Sequence, residues 1–374
     1  MKTLHIRRGA GLPAGFWKGL ACALAVLAAL TVHARAADLP EELTDALPKQ
    51  AEEVLEDGDF SGTEGFAAGI GHILENLSGQ VGGVLRQQLR GAAAVLLVVV
   101  LCGAVEGFGQ GAGTKAAAFL PMAGALSIAL LTAGSLDSLI GLGTETIAEL
   151  SVFSKALLPT LAAATAASGA VTSATVHQVT TVFFVELLLE LVNGLLVPLV
   201  YLYIGALTAA AALPEGRLGA VAEGLKKAVT WALTTALLAF TVYLSIARVL
   251  SGAADGATVK VAKAAISGAV PVVGSILADA AETVLVGAGM LRSTIGVFGM
   301  LAILAACAYP FLQLGVQYLL YKLTAFLAAA LGAARLCKLI DGLGGAFGLV
   351  LGMTGSCALL LLLSVLSSVA AVTP

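Results

Sequence analysis

The sequence predicts an all-helical, multi-pass membrane protein with six to eight spans. Six stretches of 20 or more residues contain no Asp, Glu, Lys or Arg. They are residues 116–136, 156–185, 191–214, 228–247, 293–321 and 342–374. A hydrocarbon core about 30 Å thick needs about 20 helical residues, because each residue rises about 1.5 Å. The 374-residue chain is 59% hydrophobic and 11% charged, with a mean hydropathy of +0.99, which excludes an ordinary water-soluble fold.

The amino terminus has the order of a secretory signal peptide. Basic residues come first, namely Lys2, Arg7, Arg8 and Lys18. An apolar stretch at 19–32 follows, and alanines flank Arg35 on both sides. This order predicts a signal peptide at 1–36 that is cleaved near Ala36, so that the mature chain starts outside the cytoplasm. An uncleaved membrane anchor is the alternative interpretation.

Residues 37–90 predict an extracytoplasmic segment whose first half is acidic and whose second half is amphipathic. Residues 38–64 hold ten acidic residues and one basic residue, Lys49. Apolar residues between 66 and 85 recur at helical spacing, which indicates a helix on the membrane surface or docked on a partner. No basic patch with interleaved aromatics occurs in the sequence, so nucleic-acid binding has no electrostatic support.

Residues 91–374 form the predicted transmembrane domain. Its first half predicts crossings at 91–108 and 116–136 and a longer one at 179–213. The longer stretch contains an Asn-Gly pair and Pro198, so a kinked helix and two joined segments both fit. Residues 165–181 are rich in Thr, Ser, Ala and Gly, which indicates a re-entrant or buried interfacial segment.

The second half of the domain predicts four further crossings, separated by semi-polar or basic connections. The connection at 214–227 is basic and therefore predicted to be cytoplasmic. The semi-polar region at 251–292 carries scattered charges around a proline. The predicted crossings are 228–250, 293–313, 314–334 and 346–371.

Two pairs of acidic residues are candidate functional groups, because ionisable side chains at membrane depth are costly. Glu186 and Glu190 are four residues apart and share one helix face, where they could bind a cation or relay a proton. Facing a partner subunit is the alternative for this pair. Asp279 and Glu282 also share a face, but a solvated helix would explain them equally well. His177 is interpreted as a core histidine.

Glycines at four-residue spacing predict close helix packing, since small residues let backbones approach within a membrane. Two such ridges occur, one of Gly103, Gly107 and Gly111 and one of Gly344, Gly348 and Gly352. The five cysteines are isolated from one another and from histidines, so we expect inert thiols and no metal site. No phosphate-binding loop, HExxH, GxSxG or nucleophile–base motif occurs, so we expect neither an enzyme nor a cofactor.

The semi-polar region resembles the signature of a known family, stage III sporulation protein AE. The similar stretches are SGAVPVVG at 267–274, DAAETV at 279–284 and LRSTIGVFG at 291–299. Further matches to the family pattern are residues 157–159, 168–177 and 321–323. The resemblance extends in order over most of residues 90–370, whereas the acidic segment matches only in general character.

The resemblance implies a multi-pass protein of the mother-cell membrane that surrounds the forespore. It further implies membership of a channel complex that connects the two cells and sustains forespore development after engulfment. The expected partners are membrane lipid and other proteins of the same operon, including a separate ATPase and ring-forming subunits. The family has no assigned catalytic residues.

Two other functional classes fit the residues alone. An ion-coupled secondary transporter would use Glu186 with Glu190, or Asp279 with Glu282. A membrane anchor would instead recruit partners through residues 38–90.

Overall fold

The computed structural model of the chain describes residues 41–55, 62–109, 119–213, 217–269 and 274–370. The chain is helical in these ranges apart from short turns. Its helices are α1 (Glu41–Asp45), α2 (Lys49–Leu55), α3 (Gly62–Gly109), α4 (Leu120–Ala167), α5 (Val171–Leu191), α6 (Val197–Ala212), α7 (Arg217–Ala269), α8 (Gly274–Ala330) and α9 (Ala334–Ala370). The predicted signal peptide at 1–36 lies outside the described residues.

Six segments of the described chain are long and apolar enough to cross a membrane, which confirms the predicted all-helical multi-pass fold. They are Gly65–Glu106, Leu120–Ala167, Val171–Ala212, Leu218–Ala247, Val286–Ala330 and Ala334–Ala370. The 48 residues of α4 would extend about 72 Å, more than twice the thickness of the hydrocarbon core. Part of this helix therefore lies outside the hydrocarbon.

Glycine turns reverse the chain after α4 and after α8. Gly169 (φ 95°) and Gly332 (φ 81°) occupy the left-handed region, which favours glycine. At the first turn, the N–H of Ala170 donates to Thr165 O (3.2 Å) and the N–H of Gly169 donates to Ala166 O (3.0 Å). These paired bonds form a Schellman motif, which satisfies carbonyls at the helix end. We call the two ends of the bundle the Gly169 end and the Gly332 end.

Helices α8 and α9 form the centre of the bundle. In the most apolar 18-residue stretch of each of these helices, 67% and 61% of the residues are buried inside the chain. The corresponding share in the other candidate spans is 17–33%. The outer helices pack around this pair in alternating directions. A Cβ on Gly299 of α8 would touch Leu157 of α4 near the Gly169 end, and a Cβ on Gly124 of α4 would touch Leu336 of α9 near the Gly332 end.

A single turn of π-helix joins α5 to α6. The turn covers Val192–Leu196, and the N–H of Val197 donates to Val192 O across it. Pro198 follows at the start of α6; it has no N–H, and its ring would clash with the carbonyl of residue 194 in a regular helix. The wider π-turn accommodates this proline, so the chain continues as one candidate span from Val171 to Ala212.

One expectation about the crossings is wrong, and one predicted segment has a defined structure. Separate crossings at 293–313 and 314–334 do not occur, because α8 runs without a turn from residue 293 to Ala330 and the chain turns after it, at Gly332. Pro310 and Gly315 are the residues near that boundary that favour a turn, and both lie inside the helix. The segment at 165–181, predicted to be re-entrant or a buried interface, forms the tight Gly169 turn with helix on either side, and His177 within it is buried as expected.

The chain between residues 41 and 55 packs against the bundle. Leu43 and Ala51 have no exposed surface, and α2 lies against α8. Helix α3 then runs without interruption through residue 90, the predicted boundary between the extracytoplasmic segment and the transmembrane domain.

Candidate functional site

A cluster of buried polar groups surrounds the Gly169 turn, where α4 ends and α5 begins. Asp255 reaches this turn from α7 and is only 7% exposed. Its Oδ1 accepts the backbone N–H of Thr172 (2.8 Å), and its Oδ2 accepts that of Ser173 (2.9 Å). These N–H groups belong to the first turn of α5, where Ala170 provides no side-chain cap. The carboxylate of α7 therefore caps a different helix.

The pKa of Asp255 lies below its ordinary value. Burial opposes ionisation, but the hydrogen bonds from Ser173 and then Thr172 together outweigh it. The group is therefore a carboxylate at neutral pH, and the positive end of the α5 dipole stabilises its charge.

Arg292 brings the opposite charge to the other side of the same turn. It extends from α8, is 7% exposed, and its Nη1 donates to Ser168 Oγ (3.3 Å). Ser168 Oγ in turn donates to Thr165 O (2.7 Å) at the carboxyl end of α4. The negative end of the α4 dipole thus meets a cation, while the positive end of α5 meets an anion. We call this arrangement of Asp255, Arg292 and the Gly169 turn the turn clamp.

Sequence reasoning did not single out Asp255 or Arg292 as site residues. Each is an isolated ionisable residue in an Ala/Val/Gly-rich region, and that isolation was the available signal. The positions that they contact lie 83 and 124 residues away along the chain.

The predicted acidic pairs have different surroundings. Glu186 Oε1 forms an ion pair with Lys155 Nζ of α4 (2.8 Å), and the two side chains are 45% and 58% exposed. Glu190 lies one turn further along α5 and is exposed. Asp279 and Glu282 belong to α8, but their side chains lie outside the described residues. An ion-binding role for any of these four residues stays a prediction.

The predicted glycine ridges differ in their contacts. A Cβ on Gly344 would lie 3.1 Å from Tyr321 Cβ, and one on Gly348 would lie 3.2 Å from the Tyr318 ring, so α8 and α9 approach closely there. A Cβ on Gly352 would make an ordinary 3.9 Å contact with Leu233 of α7, and one on Gly103 would meet open space. The surroundings of Gly107 and Gly111 lie outside the described residues.

A cavity of about 540 Å³ lies between α2, α3 and α8. Four carboxamide side chains and a phenol contribute its polar lining, namely Gln50, Asn76, Gln80, Gln87 and Tyr309. The Oε1 atoms of Gln50 and Gln80 are buried without a hydrogen-bond partner in the described chain. Such acceptors at a polar, roomy position are suited to water. The cavity is therefore an uncharged, polar pocket beside the bundle core that is suited to hydration.

The described polar groups serve structure more directly than chemistry. Within the described part of the chain, no three His, Cys, Asp or Glu side chains lie close enough to hold a metal ion. The four cysteines described there, Cys102, Cys307, Cys337 and Cys357, are free thiols. The turn clamp can hold the carboxyl end of α4 and the amino end of α5 in fixed positions.

Comparison with known proteins gives a specific match. The family model described as stage III sporulation protein AE matches residues 60–372. The chain is also 26% identical over 212 residues to the stage III sporulation protein AE of Bacillus subtilis (strain 168), a match that covers 57% of this chain and 53% of that relative. The chain thus spans about half the length of this relative. No solved structure matches the chain. Because the family model matches residues 60–372 and the described chain has the helical spans of a membrane protein, the chain belongs to the stage III sporulation protein AE family.

Proposed function

We propose that the chain is a non-enzymatic membrane subunit of a channel complex that connects mother cell and forespore and is required for forespore development after engulfment. The observation that carries this proposal is the family match over 60–372, which includes all six candidate spans of the described chain. A sporulation role for the whole bundle follows more directly from that coverage than from any single motif.

The polar contacts of the bundle support a scaffold without chemistry of its own. Asp255 and Arg292 hold helix ends, and Tyr203 Oη donates to Gly342 O of α9 (2.9 Å). The hydroxyls of Thr181 and Ser364 bond each other between α5 and α9. Each of these groups joins one helix to another, as expected of interhelical hydrogen bonds in a membrane protein.

The charge distribution supports one orientation in the mother-cell membrane. The Gly332 end carries the exposed bases Lys226, Lys227, Arg335 and Lys338 close to helix ends. At the Gly169 end, residues 168–170 carry no base, Arg292 is buried against the turn, and the acidic segment 38–64 precedes α3. By the positive-inside rule, the Gly332 end faces the mother-cell cytoplasm and the mature amino terminus is extracytoplasmic.

Sporulation genetics with biochemical recovery of the complex tests the proposal. Deletion of the gene in the sporulating host should allow engulfment but stop forespore development, and the intact gene should restore it. A tagged chain purified from sporulating membranes should bring a separate ATPase and ring-forming subunits with it. Normal spore yield after deletion, or a tagged chain recovered without those partners, would contradict the proposal.

Ion-coupled transport has less support than the scaffold role. Lys155 already neutralises Glu186, and both side chains remain about half exposed. Glu186→Gln should therefore leave spore yield within twofold of the wild type. Ion-dependent uptake by the purified chain in proteoliposomes, abolished by the same substitution, would replace the scaffold proposal with a transporter.

A further inference from the structure

We infer that water, and not lipid, covers one face of this bundle at hydrocarbon depth. The face consists of the exposed residues Glu145, Ala148, Val152 and Lys155 of α4 and ends at Glu186 of α5, beside the exposed apolar side chains of Val179 and Phe183; we call it the α4–α5 polar face. The inference deepens the proposed function, on which it rests, by naming the surface that this chain contributes to an aqueous passage.

The hydrocarbon depth is marked by α7. Leu238, Val242 and Ile246 lie on one face of that helix and are 60%, 57% and 57% exposed. Trp231 extends the same apolar surface toward the Gly332 end and is 71% exposed. These residues belong to the candidate span Leu218–Ala247. A contiguous, exposed apolar strip on a membrane-spanning helix is the surface that lipid chains contact.

A chain of direct contacts places the ion pair of the polar face at the same depth. The ring of Phe184 in α5 lies 5.2 Å from the ring of Phe240 in α7. Glu186 follows Phe184 by two residues, an axial rise of about 3 Å. Since Lys155 Nζ is 2.8 Å from Glu186, the pair lies at the level of the strip between Leu238 and Val242.

A second, independent chain of contacts places Glu145 beside the same strip. A Cβ on Gly143 of α4 would lie 2.5 Å from Val350 Cγ1 of α9. A Cβ on Gly352 of α9 would lie 3.9 Å from Leu233 of α7. The stretch of α4 near residues 143–145 is therefore level with Leu233, which is two residues from the exposed Trp231.

Lipid cannot cover both surfaces at this depth without a large penalty. Ionisable side chains at hydrocarbon depth are costly, and the polar face carries three of them, Glu145, Lys155 and Glu186. The bundle does not bury them, because Lys155 and Glu186 are 58% and 45% exposed. They already neutralise each other, so a cationic or anionic partner is not needed to balance them. Water satisfies the remaining hydrogen-bonding capacity of the pair.

The carboxamide-lined cavity supports hydration at the same depth. It includes Tyr309 of α8, which lies ten residues, or about 15 Å, toward the Gly332 end from Gly299. Gly299 lies against Leu157 of α4, and ten residues back along the antiparallel α4 is Ile147. The cavity thus lies at the same depth as the α4–α5 polar face.

Two matched cysteine variants test the inference in native membranes of the sporulating host. Val152→Cys on the polar face and Leu238→Cys on α7 replace aliphatic residues that are 59% and 60% exposed. Both are made in the full-length chain with its native cysteines replaced by alanine, and both are checked for restored spore yield. A charged, membrane-impermeant methanethiosulfonate reagent should modify Val152→Cys at least tenfold faster than Leu238→Cys. Denaturation in SDS should then equalise the two rates.

The other outcomes overturn the inference. Slow modification of both thiols would mean that lipid or protein covers the polar face, and fast modification of both would place this level outside the hydrocarbon. Ala148→Cys and Val242→Cys form a second matched pair, for use if either first variant fails to restore spore yield. Spore yield and partner recovery test the proposed function separately, so a channel subunit with a lipid-covered α4–α5 face remains distinguishable from a chain with no channel role.

Discussion

Asp255 illustrates how a single ionisable residue can organise helices that are distant in sequence. Its two carboxylate oxygens accept N–H groups at positions 83 and 82 residues earlier in the chain. Neither Val171 nor Ala170 can supply a side-chain acceptor for these N–H groups, so the first turn of α5 depends on a residue from α7. The cost of burying one carboxylate is thereby offset by two charge-assisted hydrogen bonds and the helix dipole.

Asp255→Asn should lower the free energy of unfolding by about 1–2 kcal/mol at neutral pH. The charged form of Asp255 stabilises the fold because its folded-state pKa is lowered, so this stabilisation is fully present above the ordinary aspartate pKa. It is lost as the pH falls through the lowered value, below about pH 4. The difference between wild type and variant should therefore shrink in acid.

Thermal unfolding in detergent, followed by the reaction of a thiol-sensitive dye with the buried Cys307 and Cys357, measures this effect. Glu75→Gln removes an exposed carboxylate from α3 and serves as the control; its effect should stay within about 0.5 kcal/mol. An unchanged melting temperature for Asp255→Asn at neutral pH would mean that α5 does not need this cap.

Helix packing at the element scale depends on where glycines meet a neighbour. Sequence spacing marked two ridges as equivalent, but the structure distinguishes them. Gly344 lies against the backbone and Cβ of α8, whereas Gly103 of α3 has no atom in reach of an added Cβ. Close approach of α8 and α9 at Gly344 lets these two central helices bury each other over most of their length.

Gly344→Leu should destabilise the purified chain by about 1–3 kcal/mol, because the new side chain overlaps Tyr321 in a packed interface. Gly103→Leu is the matched control and should leave the melting temperature unchanged or raise it, since leucine favours helix and has open space there. Equal loss of stability in both variants would show that the effect comes from the substitution type and not from the α8–α9 contact.

At the scale of the whole molecule, the six candidate spans alternate in direction between the two ends of the bundle. Helices α3, α6 and α8 finish toward the Gly332 end, and α4 and α7 finish toward the Gly169 end. Bases flank the predicted crossing 228–250 on both sides. Lys260 and Lys263 lie in the part of α7 that continues beyond the candidate span Leu218–Ala247 toward the Gly169 end.

Accessibility of single cysteines to an impermeant reagent in intact cells and in inverted vesicles measures the orientation. A cysteine at Leu213, which is 46% exposed, should react from the cytoplasmic side, and one at Val171, which is 58% exposed, should react from the opposite side. Labelling of both positions from one side would be incompatible with an odd number of crossings between them.

The sequence by itself determined that this chain folds in a lipid bilayer and that it folds as helices. An uncharged stretch of 20 or more residues can satisfy all of its own backbone groups within a bilayer, without partners from other segments, only as a helix. Its family pattern at 267–299 likewise needed no coordinates, and the match over 60–372 agrees with it.

Only the tertiary structure decided which residues meet at one site and which residues lie at the same depth in the membrane. Asp255 and Arg292 meet the Gly169 turn from separate helices, and α8 extends straight through a boundary where two crossings were expected. Periodicity assigns a residue to a face of its own helix, but the relative height and rotation of two helices arise from contacts between them. For that reason the ion pair of Lys155 with Glu186, at the level of an apolar strip on α7, emerges only when the helices are assembled.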